Sequence, residues 1–90
     1  MNTLIMKFGG AAVATPAQFA HIADLIISKR QEFSRIVVVV SAMGKTTDQL
    51  IDLARQVHPQ PPQREYDMLI SVGERISMSL LAMALCLKNQ

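Results

Sequence analysis

A lysine and two glycines near the amino terminus form the first candidate site for chemistry. The apolar run 4–6 leads into Lys7, Phe8, Gly9 and Gly10, so a strand is predicted to deliver an ammonium group to a loop whose backbone can approach a ligand closely. Backbone N–H groups at the glycines can hold phosphate oxygens, and Lys7 supplies a positive charge beside them. The segment therefore indicates phosphate binding; the alternative is a lysine at a buried edge followed by an ordinary turn.

The segment after the valine run is the second candidate site. Hydroxyl groups of Ser41 and Thr47 can hydrogen-bond a small polar substrate, although helix capping is an alternative role for Thr47. Gly44 and Lys45 look like the end of a P-loop, but that motif requires a glycine five positions before Gly44, where this chain has Val39. The sequence therefore favours a polar substrate loop over a P-loop.

Glu74 is the third candidate, because it lies with Arg75 in an otherwise apolar tract. Charged side chains are seldom buried unless they are paired or used in binding. A binding role and a surface turn at Gly73 that keeps both charges in water are equal alternatives. His21 and His58 have no neighbours at metal-ligand spacing, so no metal site is predicted.

The elements that must position these residues alternate between strand and helix patterns. A β-branched strand without polar alternation is typical of the middle of a parallel sheet and is predicted to be covered on both faces. The long last tract is apolar nearly all round in its second half, so it is predicted to be buried on most sides. The predicted elements are a strand at Leu4–Phe8, a helix from a cap at Thr15 to near Phe33, the β-branched strand Ile36–Val40, a helix that begins at Thr46 or Thr47 and is broken by the prolines of residues 58–62, and a helical tract Arg64–Leu87 interrupted at residues 71–73.

This β-α-β-α-α order predicts an α/β fold with parallel strands and right-handed crossovers. Two strands do not complete such a sheet, because Ile36–Val40 has only Leu4–Phe8 as a partner. We therefore expect the chain to be the N-terminal part of a larger kinase-like or nucleotide-binding domain. A homo-oligomer that supplies the missing strands is the alternative.

Composition excludes several classes of function. A formal charge of +2, one Tyr, three Phe and no Trp argue against a nucleic-acid surface. The single cysteine excludes an internal disulfide framework and fits a reducing cytoplasm. The N-terminus lacks a secretory pattern, and the longest uncharged apolar stretch, Ile76–Leu87, is about half the length of a membrane span. Neither nucleic acid nor a membrane is therefore predicted as a partner.

Three blocks of the sequence resemble, in order and spacing, the N-terminal blocks of the aspartokinases, which belong to the amino-acid kinase family. The blocks are residues 7–10, residues 37–48 and residues 64–77. The resemblance implies a three-layer α/β/α parallel-sheet amino-acid kinase fold, of which residues 1–90 are the N-terminal segment. The C-terminal half of the catalytic domain and the regulatory ACT domains are then expected to lie outside this chain.

The resemblance also implies an activity. Aspartokinases phosphorylate the side-chain carboxylate of aspartate from ATP, which gives 4-phosphoaspartate and opens the pathway to lysine, threonine and methionine. The implied ligands are aspartate and ATP with Mg²⁺, and the implied location is the cytoplasm. The implied assembly is a homo-oligomer or a complex with the complementing C-terminal portion. The isolated 90-residue chain is expected to be inactive.

In the phosphate site, the resemblance assigns roles to three residues. Lys7 matches the family lysine that stabilises the transferring phosphoryl group, and Gly9 and Gly10 match the glycines whose amides meet the phosphates. The family usually continues with Thr-Ser, whereas this chain has Ala11 and Ala12, so two hydroxyl groups beside the phosphate site are absent.

For aspartate, the resemblance assigns roles to three more residues. Ser41 and Thr47 match positions that help to hold the substrate, and Glu74 matches the glutamate that binds its amino group. A different class of function stays open, namely a non-catalytic α/β binding or assembly module that pairs with a separate chain. The two alanines at 11 and 12 favour that alternative slightly, and the retained site residues favour the kinase.

Overall fold

The computed structural model describes residues 2–88 and contains two strands and three helices. The strands pair in parallel, as predicted, through a helical crossover. In chain order the elements are β1 (Thr3–Phe8), α1 (Pro16–Lys29), β2 (Arg35–Val40), α2 (Thr46–Val57) and α3 (Gln63–Lys88).

The register of the two strands is fixed at the end remote from the candidate site. Thr3 pairs with Arg35, and pairing continues to Phe8 opposite Val40. Before the first pair, the Ser34 N–H donates to Asn2 Oδ1 (3.0 Å) and the Ser34 hydroxyl donates to the Asn2 carbonyl (2.9 Å). These exchanged bonds hold the start of β2 beside the start of β1, so both strands end at the same level.

One face of the sheet lies on the core. The buried side chains of α1 recur every three to four residues and therefore lie on one face, as expected for an amphipathic helix. They pack with Val13, with Leu81 of α3 and with the inward side chains of both strands. The cluster comprises Val13, Phe19, Ile22, Ile26, Val40 and Leu81, with Met6, Phe8, Ile36 and Val38 among the half-buried residues around it.

The other face of the sheet is open within residues 2–88. Ile5, Val37 and Val39 are 64%, 45% and 47% exposed. The expectation that β2 is covered on both faces is therefore wrong for this part of the chain. The reason is that residues from both α1 and α3 join the cluster on the same side of the sheet.

Helix ends differ from the expected ones at three places. Helix α1 ends at Lys29 instead of near Phe33, because the N–H groups of Glu32 and Phe33 both donate to the Lys29 carbonyl (3.1 Å each) and close a turn. The cap of α2 is Lys45 rather than a threonine. Helix α3 is continuous through Gly73, since a single glycine lowers helix stability by only about 1 kcal/mol.

Helix α3 is 26 residues long and, by length and composition alone, is apolar enough to cross a membrane. Core helices of soluble proteins pass the same test. Within its most apolar window only 17% of the residues are buried. The expectation that this helix is buried on most sides is therefore wrong for residues 2–88. Its buried stripe is narrow and comprises Gly73, Ser77 and Leu81.

Candidate active site

Both candidate loops leave the sheet at the same edge. Lys7 pairs with Val39 and Phe8 with Val40, and the Ser41 N–H extends the ladder by donating to the Phe8 carbonyl (3.0 Å). Because parallel strands direct their carboxyl ends to one edge, the glycine loop and the loop after β2 begin side by side. This is the position at which open α/β sheets bind ligands.

A depression of about 280 Å³ lies at this edge, and four of the six predicted site residues line it. They come from three separate parts of the chain: Lys7 and Gly9 from the end of β1, Ser41 from the end of β2 and Glu74 from α3. All four residues are exposed. The remaining lining residues are Phe8, Val39 and Val40.

The two charges in this depression form no ion pair with the part of the chain that the structure describes. Among residues 2–88, the ion pairs are Lys29 with Glu32 (3.6 Å) and Lys88 with Asp24 (3.2 Å). Lys7 and Glu74 take part in neither pair and are not bridged to each other. An ammonium and a carboxylate that share a depression without partners can each bind a group of opposite charge on a ligand.

The two glycines after β1 have different surroundings. A Cβ atom on Gly9 would meet nothing within 4 Å, so the space beside Gly9 is open. A Cβ atom on Gly10 would lie 3.2 Å from the Ala42 carbonyl oxygen. The Gly10 carbonyl also accepts the Gly44 N–H at 3.1 Å. Gly10 therefore joins the two loops, while Gly9 faces the depression.

The backbone of the glycine loop has donors available. Ala12 N–H donates to the Gly9 carbonyl (3.0 Å) and Val13 N–H donates to the Gly10 carbonyl (3.3 Å), which closes a turn. The N–H groups of Gly9 and Gly10 themselves donate to no acceptor within the described part of the chain. Unused amide donors beside a lysine are suited to an anion such as phosphate.

Gln18 anchors the far side of the same loop. The N–H groups of Ala14 and Thr15 donate to Gln18 Oε1 (2.7 and 2.9 Å), and Gln18 Nε2 donates to the Ala11 carbonyl (3.0 Å). The bond from Thr15 is the return half of the predicted capping box. The bond to Ala11 was not predicted, because capping rules concern only the helix end and not the loop before it.

Glu74 reaches the depression because α3 passes close to the loop after β2. Gly73 is buried, and a Cβ atom there would lie 2.7 Å from the Ala42 Cβ and 3.4 Å from Thr46 Cγ2. Gly73 therefore forms neither the surface turn nor the interruption of the helix that the sequence predicts. The sequence feature that could have pointed to a close contact is the pair of small residues Gly73 and Ser77, which lie one helical turn apart on the same face.

Two predicted site residues lie outside the lining of the depression. Gly10 is the joint between the loops. Thr47 lies in the first turn of α2, is half-buried and does not cap the helix, whose cap is Lys45. The capping explanation for Thr47 is therefore wrong, and its substrate role stays a prediction.

The described residues offer no metal-binding cluster. Between residues 2 and 88, no three or more His, Cys, Asp or Glu side chains are placed to hold an ion together. Glu74 is the one carboxylate that lines the depression. A lone carboxylate fits a divalent ion only when phosphates supply further oxygens, which is the way Mg²⁺ is commonly held beside nucleotides.

The sequence profile described as the amino acid kinase family matches residues 2–89. The chain belongs to the amino acid kinase family. It is 48% identical over 85 residues to an aspartokinase of Bacillus sp. (strain MGA3) and 51% identical over 85 residues to an aspartokinase of Mycolicibacterium smegmatis. Each alignment covers 94% of this chain, but only 21% and 20% of the respective relative.

The structure of the chain is also similar to that of an aspartate kinase. The crystal structure of aspartate kinase from Synechocystis superposes on 99% of this chain with a TM-score of 0.92 and 46% identity, and the match covers 15% of that structure. The predicted α/β amino-acid kinase fold, N-terminal portion, is thereby confirmed. The chain spans about a fifth of the length of the curated relatives it matches.

Proposed function

We propose that this chain forms the phosphate- and aspartate-binding part of a cytoplasmic aspartate kinase. The reaction transfers the γ-phosphoryl group of ATP to the side-chain carboxylate of aspartate and gives 4-phosphoaspartate, for lysine, threonine and methionine biosynthesis. The observation that carries the proposal is the depression at the sheet edge, where Lys7 and Glu74 lie beside Gly9 and Ser41 and have no ion-pair partner among residues 2–88. Identity of about half to aspartokinases supports it.

Lys7 and the glycine loop suit the phosphoryl group. A carboxylate oxygen of aspartate attacks the γ-phosphorus, the bond to the β–γ bridging oxygen breaks, and ADP leaves with the electron pair. Aspartate is already ionised at neutral pH, so the step needs no general base. Catalysis then depends on position and on charge, which Lys7 and the unused amides of Gly9 and Gly10 supply to the phosphoryl oxygens.

Glu74, Ser41 and Thr47 suit the amino acid. Glu74 accepts a charge-assisted hydrogen bond from the substrate ammonium, which is stronger than a bond between neutral groups. Ser41 and Thr47 supply hydroxyl groups to the substrate oxygens. The two charges give each ligand its own place in the depression, because Lys7 attracts the phosphates of ATP and Glu74 attracts the ammonium group of aspartate.

Groups outside residues 1–90 complete the proposed enzyme. The ATP-binding half of the catalytic domain and the ACT domains come from a complementing C-terminal portion, and a homo-oligomer is the second form of assembly. Mg²⁺ would be held mainly by the ATP phosphates and would neutralise their charge, because among residues 2–88 Glu74 is the one carboxylate that lines the depression.

The proposal is tested by adding the missing portion. The 90-residue chain alone is expected to show no aspartate-dependent ATP turnover in a coupled phosphorylation assay, and to associate or aggregate in light scattering because of its open apolar sheet face. Adding the complementary C-terminal portion is expected to restore turnover. Omission of aspartate is the control for idle ATP hydrolysis.

The same experiment separates the kinase from a non-catalytic assembly module. The open face that carries Ile5, Val37 and Val39 favours assembly with another chain in either case. A stable, monodisperse complex that phosphorylates no aspartate would replace the kinase proposal with the assembly module. Turnover by the 90-residue chain alone would contradict the need for a second portion.

A further inference from the structure

Helix α3 approaches the loop after β2 closely at Gly73, next to the candidate site. A Cβ atom on Gly73 would stand 2.7 Å from the Ala42 Cβ, 3.4 Å from Thr46 Cγ2 and 3.7 Å from Leu50 Cδ1. Ala42 is buried with 2% of its surface exposed, and Gly73 is buried as well. The glycine is therefore enclosed by the loop and by the first turns of α2.

This contact cannot be relieved by a side-chain rotation. The atom nearest to the added Cβ is the Ala42 Cβ, which is fixed to the backbone, and 2.7 Å is 0.7 Å short of the 3.4 Å at which ordinary contact begins. The packed surroundings must then yield through the backbone. A methyl group at position 73 moves α3 away from the loop or moves the loop itself.

The residues that would move with this contact are the substrate residues. Ser41 precedes Ala42 on the loop and Glu74 follows Gly73 on α3, and both line the depression. The separation of Ser41 and Glu74 is thus set by how closely Gly73 approaches Ala42. Glycine at this point is unfavourable for the helix itself, by about 1 kcal/mol relative to alanine.

We propose that Gly73 is a positioning residue, whose missing side chain sets the distance between Glu74 and Ser41 and thereby the fit of the amino acid between them. This inference rests on the proposed function. Gly73 touches no reacting atom; it acts through the helix backbone. One turn later, the buried Ser77 hydroxyl donates to the Gly73 carbonyl (3.4 Å), which holds this stretch of α3 on the same buried stripe.

The test uses four variants of this chain in complex with the complementing C-terminal portion: Gly73→Ala, Ala42→Gly, the double variant, and Ser79→Ala as a control at an exposed position of α3. Gly73→Ala is expected to raise the KM for aspartate by roughly 10- to 100-fold, the effect of a displacement of about 1 Å. The KM for ATP is expected to be unchanged. Ala42→Gly removes the opposing methyl group, so the double variant is expected to return the KM for aspartate towards the parent value.

The unfolding temperature is a second measurement, because its rise or fall in Gly73→Ala distinguishes helix propensity from the contact with Ala42. Helix propensity alone would raise the unfolding temperature of Gly73→Ala, whereas the contact with Ala42 is expected to lower it and the double variant to recover it. A higher unfolding temperature with an unchanged KM for aspartate would overturn the inference. Equal changes in both KM values, or no recovery in the double variant, would do the same, because damage would then be general.

Failure of the proposed function has a different signature. A parent protein that phosphorylates no aspartate would overturn the kinase proposal. Calorimetric binding of aspartate to the parent and to the four variants then tests the positioning role without turnover. Weaker binding to Gly73→Ala with recovery in the double variant supports the role, and equal or absent binding in all of them overturns it.

Discussion

The two faces of the same pair of strands have opposite surroundings although their residues are alike. Val38 is half-buried against the core, whereas its neighbours Val37 and Val39 on the other face are 45% and 47% exposed. Valine stands on both faces, so the strand sequence does not cause the difference. The cause is the position of α1 and α3, which contribute to one cluster on one side. We expect a layer beyond residues 2–88 to cover the open side.

Because side chains alternate between the two faces, the end of β1 has a core residue next to a candidate site residue. Phe8 points to the covered face and packs on the core, while Lys7, one residue earlier, points to the open face. Since successive strand residues face opposite sides, the anchored Phe8 fixes the backbone from which Lys7 projects. Three predictions test this difference between the faces and the site at their edge.

The largest expected effect concerns Lys7 on the open face. In the proposed assembled kinase, Lys7→Met is expected to lower turnover by roughly 10²–10³, because it removes the charge proposed to stabilise the transferring phosphoryl group. The KM for aspartate should change little. Steady-state kinetics measure both quantities.

Arg35→Met is the matched control for Lys7→Met, since Arg35 is an exposed cation on the same face at the other end of the sheet. The control is expected to keep its turnover. A near-normal turnover for Lys7→Met, or an equal loss in the control, would remove Lys7 from catalysis.

The second effect concerns Glu74, which reaches the depression at the sheet edge from α3. Glu74→Gln keeps the shape of the side chain and removes its charge, so the KM for aspartate is expected to rise by roughly 10- to 100-fold, the equivalent of about 1.5–3 kcal/mol for a charge-assisted hydrogen bond. The KM for ATP should stay constant. Glu65→Gln, at an exposed position of the same helix, is the control. A rise in the KM for ATP instead would contradict the assignment of Glu74 to aspartate.

The smallest effect tests the two faces directly. Val38→Ala on the covered face is expected to lower the free energy of unfolding by about 1–2 kcal/mol, whereas Val37→Ala should stay within about 0.5 kcal/mol wherever the other face remains open. In the assembled protein both substitutions are expected to cost about 1–2 kcal/mol, because the open face is then covered. Denaturant unfolding measures the costs. An inert Val37→Ala in the assembled protein would mean that the face remains open.

Much of the candidate site could be predicted because its parts are local motifs. Lys7 with its glycines and the loop at Ser41 are predicted from residue types at strand ends, and Glu74 from its charge within an apolar tract. The parallel pairing of β1 and β2 carries the first two to one edge. The sequence predicts an interruption of the helix at Gly73, whereas α3 is continuous there. A glycine in a helical pattern does not reveal that a distant residue, Ala42, lies against it.

The sequence by itself determined the strands, the order of the elements and the parallel pairing, because hydrophobic period, β-branched runs and prolines act on neighbouring residues. Only the tertiary structure decided that one sheet face is open, that Gly9 faces space while Gly10 is crowded, and that α3 runs unbroken past Ala42. These features depend on contacts between residues far apart in the chain, where packing and the close approach of backbones outweigh local propensity.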